Sequence, residues 1–154
     1  MALAYLDTSA LAKRYLPERG SAWVVRLCQQ EPAAVSLIAI PELASALARR
    51  SRDGALSAQQ RDALFQAFLR DLRTFVVVEP NQAIAQQAAT LLLTAPPAVR
   101  LRTLDALHVA SARLAFARAR RRGVATGSFI TADRALLDAA NWAGLPTLNP
   151  EDHP

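Results

Sequence analysis

The sequence predicts an α/β fold, with a central parallel β-sheet of four to five strands flanked by helices on both faces. Three observations lead there. The β-type runs are short and apolar from end to end, as in ALAYL at 2–6 and FVVV at 75–78. Segments of helical length separate them. No repeat, low-complexity linker or change of composition divides the 154 residues, so the chain reads as one domain, 1–154. Strands without polar alternation bury both faces, and alternation of such strands with helices is the pattern of parallel pairing through crossovers.

Residues 2–6 form the first strand, and a short helix over 9–16 is stopped by Pro17. A second helix covers 21–31, and AVSLI at 34–38 is the second strand. Pro41 opens a helix over 40–52, near the helix start where a missing N–H costs nothing, and Gly54 ends it. Ser57 caps a long helix running through Thr74, and 75–78 is the third strand. Residues 81–95 are helical up to Pro96-Pro97. Thr103 caps a long helix to Arg122, with Gly123 as its stop. SFIT at 128–131 is the fourth strand, 133–143 a helix ended by Gly144, and 146–148 a last edge strand.

Hydrophobic residues make up 52% of the chain, enough for a packed, helix-rich globule. The single Cys28 has no partner for a disulfide and sits in an apolar helical stretch, which makes it a small packing residue. No basic segment precedes the first apolar run, which Asp7 interrupts, and no stretch of 18 apolar residues exists. The expectation is a cytoplasmic protein with no membrane span. A net charge of +5 suits an acidic partner such as nucleic acid, but 17 of the 18 basic residues are Arg and many end Ala-rich helices, where cations are favoured locally.

In an open parallel sheet, ligands bind beyond the carboxyl ends of the strands. Asp7 directly follows the first strand, Glu42 lies in the first helical turn after the second, Asp105 in the first turn of the long helix, and Asp133 follows the fourth strand. Taken singly, each has a local explanation: Asp7 and Asp133 as helix caps, Glu42 and Asp105 as acids that complement a helix dipole. Together they gather four negative charges, with no Lys or His expected among them, where strand and helix ends normally attract anions. Like charges so placed repel, and a bound cation relieves them. Oxygen-only donors suit Mg²⁺ or Mn²⁺ and not Zn²⁺. Such an ion polarises a phosphoryl group and activates water. No P-loop, G-x-G-x-x-G or G-x-S-x-G offers a competing site.

Four segments, MALAYLDTSALAKRYLPERGSA, SLIAIPELASAL, TLDALHVASARLA and FITADRALLDAANWAGLPTLNP, resemble the PIN-domain nucleases, and most of all the VapC toxins of toxin–antitoxin pairs. The resemblance runs nearly end to end and is weakest over about 55–100. It implies a PIN-like fold, Mg²⁺- or Mn²⁺-dependent cleavage of RNA, and a VapB-like antitoxin that covers the cleft, in a homodimer or a toxin–antitoxin hetero-oligomer. It also implies that Asp7, Glu42, Asp105 and Asp133 are the family's four acids, catalytic and metal-binding. Many relatives carry a fifth acid two residues after the fourth; that position here is Ala135. The alternatives are a PIN nuclease that processes RNA without an antitoxin, and a nucleic-acid-binding module that has lost catalysis.

Around the acids, Thr8, Ser9 and Thr131 are expected to hydrogen-bond the carboxylates or metal waters, or to cap helices. His108, one helical turn from Asp105, is expected to be a hydrogen-bonded, partly buried residue rather than a general base. Trp23 and Trp142 are expected in the core. Arg100 and Arg102, just before Asp105, are expected to meet substrate phosphates, whereas Arg118, Arg120, Arg121 and Arg122 lie at the far end of the long helix.

Overall fold

The computed structural model describes residues 1–153. The chain runs β1 (Ala2–Leu6), α1 (Thr8–Ala12), α2 (Ser21–Gln30), β2 (Ala33–Ser36), α3 (Ala39–Arg52), α4 (Ala58–Asp71), β3 (Val76–Val78), α5 (Gln82–Thr94), α6 (Thr103–Arg121), β4 (Ala125–Ile130), α7 (Arg134–Trp142) and β5 (Thr147–Leu148). Single 3₁₀ turns at Leu72–Thr74 and Pro150–Asp152 complete it. The five strands form one sheet in the order β3-β2-β1-β4-β5, with every neighbouring pair parallel. This is the α/β architecture expected from the sequence.

The strands lack polar alternation because each face meets a different helical layer. Leu3 and Tyr5 of β1, Ala34 of β2 and Phe129 of β4 pack with α5, α6 and α7 through residues such as Ile84, Val109 and Phe116. Their neighbours Ala4, Leu6, Ala33, Val35 and Ile130 point the other way, onto α1, α3 and α4 through Leu11, Leu43, Leu47 and Phe68. Fully burying a side chain of this size contributes about 1.5–3 kcal/mol, so both layers stabilise the fold substantially.

β1 lies at the centre. The chain adds β2 and β3 on one side of it, then returns to add β4 and β5 on the other. That reversal leaves a crevice between the carboxyl ends of β1 and β4, the position where open α/β sheets bind ligands.

Several boundaries depart from the sequence reading. β2 ends at Ser36 rather than 38, because Ile38 already has helical dihedrals as α3 begins. α1 stops at Ala12 rather than 16, and 57–74 is a helix to Asp71 followed by a 3₁₀ turn. Thr103 is not the cap of α6 but its first residue; Arg102 holds the cap position, and its amide donates to the Asp105 carboxylate at 3.1 Å. β4 begins at Ala125, three residues before the apolar signal, because pairing with Ala2 and Leu3 of β1 supplies what its own residues lack. Among the described residues, no helix is long and apolar enough to cross a membrane.

Candidate metal centre

One cleft at the carboxyl edge of the sheet is lined by all four acids, Asp7, Glu42, Asp105 and Asp133. Each arrives on a different element. Asp7 ends β1 and caps α1, accepting the Ala10 amide on Oδ1 at 2.9 Å. Asp133 caps α7, accepting the amides of Ala135 and Leu136 on its Oδ1 at 2.9 and 3.2 Å. Glu42 and Asp105 stand in the first turns of α3 and α6. The capping explanation and the convergence are therefore both true. A cap position after a strand is what points a short acid over the sheet edge.

The hydroxyls are equally organised. Ser9 Oγ donates to the Asp7 carboxylate, 2.8 Å from Oδ1 and 2.9 Å from Oδ2, and Thr131 Oγ1 donates to Oδ2 at 2.9 Å. Ser9 Oγ also accepts the Ala132 amide at 2.9 Å, tying α1 to the end of β4. Thr8 Oγ1 donates to Glu42 Oε2. Burial pushes the Asp7 carboxyl above its ordinary range, partly offset by the charge of His108 and by the Ala10, Ser9 and Thr131 donors. Burial is thus the principal cause, where the sequence suggested repulsion among the acids.

Two basic side chains enter the cleft: His108, contrary to the expectation of a mouth without Lys or His, and Arg102, which was expected on this edge. His108 is 2% exposed and is bonded on both nitrogens. Its Nδ1 lies 2.9 Å from the Tyr5 hydroxyl, and its Nε2 lies 2.7 Å from Glu42 Oε2 and 3.2 Å from Thr8 Oγ1. Burial holds the Tyr5 phenol well above its ordinary range, so it keeps its proton, and its bond to Nδ1 orients the ring so that Nε2 faces Glu42. Burial raises the Glu42 carboxyl, but the His108 and Thr8 donors outweigh it and hold Glu42 below the usual range. Arg102 spans the other two acids, Nε donating to Asp105 Oδ2 at 3.0 Å and the guanidinium to Asp133 Oδ2 at 3.2 Å.

These contacts also bear on whether a cation fits. Among the described residues, no three acidic, histidine or cysteine side chains stand close enough together to hold an ion as they are placed. The donor set still suits a hard divalent ion: four carboxylates line one cleft, and Glu42 accepts all its hydrogen bonds on Oε2, leaving Oε1 free. Arg102 acts as an internal counterion for Asp105 and Asp133, and His108 donates a hydrogen bond to Glu42. Of the two, Arg102 is free to move, because its side chain is 77% exposed.

Other expected residues fall elsewhere. Arg100 lines a depression that shares Arg102, Asp105 and Asp133 with the cleft, so it flanks the acids. Ala135 lies in that same depression. Trp142 is 38% exposed, not a core residue; it borders a surface hollow with Gln86, Thr90 and Arg113. Trp23 is half-buried against the α1/α3/α4 layer and stacks on His153, ring centroids 4.7 Å apart. Sequence reasoning missed Tyr5 and Arg49. Tyr5 sits two residues before Asp7, on the same side of β1, and Arg49 sits seven after Glu42, a helical spacing that puts both on one face of α3.

The PIN domain family model matches residues 4–141, and the chain belongs to the PIN domain family. Members of that family are nucleases. The fold is similar to that of FitAcB from Neisseria gonorrhoeae (TM-score 0.65, 18% identity, covering 96% of this chain and 97% of that one). It is also similar to VapBC2 from Rickettsia felis, solved bound to a DNA fragment from its promoter (TM-score 0.61, 13% identity, 96% and 98% covered). VapC20 of Mycobacterium tuberculosis, described as a sarcin-ricin loop cleaving toxin, matches with a TM-score of 0.55 and 20% identity over 79% of this chain and 84% of that one. A comparison with curated protein sequences finds no match.

Proposed function

We propose that this protein is a divalent-metal-dependent ribonuclease and the toxin of a toxin–antitoxin pair. The observation that carries the reading is the convergence of Asp7, Glu42, Asp105 and Asp133, from four separate elements, on one cleft at the switch point of the sheet. Similarity to toxin–antitoxin complexes supports a VapB-like antitoxin as partner, and similarity to a sarcin-ricin loop cleaving toxin supports RNA as substrate. Both are inferences by likeness, since hydrolysis by activated water does not use the 2′-hydroxyl.

The four acids would hold Mg²⁺ or Mn²⁺. When bound, the ion neutralises phosphate charge and activates water for attack on phosphorus. The chain's own residues prepare that site. Ser9 and Thr131 fix the Asp7 carboxylate, and Thr8 with the Tyr5–His108 pair fixes Glu42. Arg102 bonds Asp105 on Oδ2 alone, which leaves Asp105 Oδ1 open, as Glu42 Oε1 is. On Asp133 the amides take Oδ1 and Arg102 takes Oδ2, so Arg102 must leave Asp133 for that carboxylate to serve as a ligand, and on leaving it is placed to hold a phosphate on the rim beside Arg100. His108 is already bonded on both nitrogens, so it positions Glu42 rather than taking a proton from water.

RNA cleavage by the purified protein with Mg²⁺, with Mn²⁺ and with EDTA tests this, beside Asp105→Asn. Cleavage should require the metal and fall by about 100-fold or more in the variant. Cleavage that persists in EDTA, or that Asp105→Asn leaves intact, would rule the reading out.

A further inference from the structure

The cleft with the acids does not end at them. On the side away from Arg100 it runs into a second depression, with which it shares Ser9, Ala12, Ala46, Arg49 and Asp133. The depression with Arg100 shares Arg102, Asp105 and Asp133 with the same cleft. The three are one groove, which passes over the acids and continues on both sides. Ala12 of α1 and Ala46 of α3 floor its second arm, and their small side chains leave it open.

Cations stand along both arms, and their pairing separates them. In the second arm Lys13 is held by Glu151 at 2.9 Å and Glu18 at 3.6 Å, and Arg50 by Glu18 at 3.3 Å. In the first arm Arg102 is held by Asp105 and Asp133. Among the described residues, the side chains of Arg49 and Arg100 make no hydrogen bond or ion pair, and both are exposed. One uncompensated guanidinium therefore stands on each side of the acids. The α3 face explains the position of Arg49: Glu42, Ala46 and Arg49 follow helical spacing, which sets Arg49 about 10 Å along the helix from Glu42.

We infer that this groove is a track for a single polynucleotide strand, and that Arg49 holds a backbone phosphate on the opposite side of the scissile bond from Arg100. The inference rests on the ribonuclease reading above and adds to it a binding residue and a path for the strand. The charge pattern selects the ligand. An isolated anion gains from one arm only and is repelled by the acids between the arms. A polyanion whose phosphates repeat along its length engages both arms at once and brings an intervening phosphate over the acids. Guanidinium groups suit this because they present a planar fork of donors to phosphate oxygens.

The test is binding of a labelled single-stranded RNA of about 12 nucleotides, followed by fluorescence anisotropy in EDTA over a range of salt. Arg49→Ala should weaken binding roughly three- to fivefold and lower the slope of log affinity against log salt by about 0.7, the loss of one single-strand phosphate contact. Arg49→Lys should keep most of the affinity and the slope, and Arg121→Ala, at the far end of α6, should match the wild type. In metal-dependent cleavage Arg49→Ala should raise KM more than it lowers kcat. Wild-type affinity and slope in Arg49→Ala would overturn the track while leaving the ribonuclease reading standing, provided the wild type cleaves. A wild type that neither binds nor cleaves the strand would overturn both.

Discussion

Asp7 and Asp105 carry the same charge into the same cleft but stand in opposite surroundings. Asp7 is 4% exposed, and neutral donors hold both its oxygens. Asp105 Oδ2 receives the Arg102 guanidinium as well as its amide. Removing the two charges should therefore have different effects on stability. In EDTA, Asp7→Asn should melt at or above the wild type: the buried charge is gone, Asn caps a helix about as well as Asp, and the hydroxyls of Ser9 and Thr131 can rotate to accept from an amide. Asp105→Asn gives up an ion pair whose cation is exposed, so it should melt slightly lower, by less than about 1 kcal/mol. Both should lose cleavage. A large loss of stability in Asp7→Asn would mean that its charge chiefly holds the start of α1. The sequence treats the two acids alike, since it reads residue type and position after a strand. The difference comes from Thr131, 124 residues away, and from Arg102, whose reach across two acids no spacing rule reveals.

At the scale of elements, whatever rests on local pattern was legible and whatever rests on distant partners was not. The apolar runs marked β1, β2 and β3, and the acids after the strands were found because strand ends are visible in sequence. The start of β4 was missed because Ala125, Thr126 and Gly127 carry little strand signal without β1 beside them. The 3₁₀ turn at Pro150–Asp152 was missed because three residues and an Asn149 cap carry little signal, and tertiary contacts supply the rest of its support. Its carbonyl at Pro150 lies against Gly20, where an added Cβ would come within 2.5 Å of the oxygen, and Gly20 also needs its φ of +85°. Its Glu151 holds Lys13, which is 3% exposed just past the short α1. The Lys13 hydrogen bond and charge keep the Glu151 carboxyl below its ordinary range. A carboxyl lowered by folding stabilises above its unfolded pKa of about 4.3, and that contribution disappears as pH falls through the folded value. Glu151→Gln should thus cost about 1 kcal/mol at pH 7, a figure discounted for the exposure of Glu151 and the remaining Glu18 partner. The gap should narrow in melts taken as pH falls below about 4.3 and close only below the lowered folded value, where the wild-type carboxyl is protonated as well. A gap that stays constant with pH would assign the effect to packing.

Over the whole molecule the charge is polarised. Arg118, Arg120, Arg121 and Arg122 close α6, while Asp105 lies at its start. About 15 residues at 1.5 Å each put the arginines more than about 20 Å from the acids, beyond a Debye length of about 8 Å at physiological salt. The net charge of +5 is therefore not the charge the cleft experiences, which is set by four acids and by Arg102 and the free arginines on either side. Because Arg102 already bridges Asp105 and Asp133, it competes with any cation for those two carboxylates. An ion that binds only the folded state raises the melting temperature with the logarithm of its concentration, from the point where concentration exceeds Kd. Titrating Mn²⁺ into the wild type, Asp105→Asn and Arg102→Ala should then give an ordered result. Stabilisation should begin at the lowest Mn²⁺ in Arg102→Ala, at higher Mn²⁺ in the wild type, and be much reduced in Asp105→Asn. Arg102→Ala also separates two roles for the arginine, since its metal affinity should rise while its RNA affinity in EDTA falls. Equal shifts in all three proteins would place the bound ion away from these carboxylates, and a weaker response in Arg102→Ala would make the arginine a support of the site rather than a competitor for it.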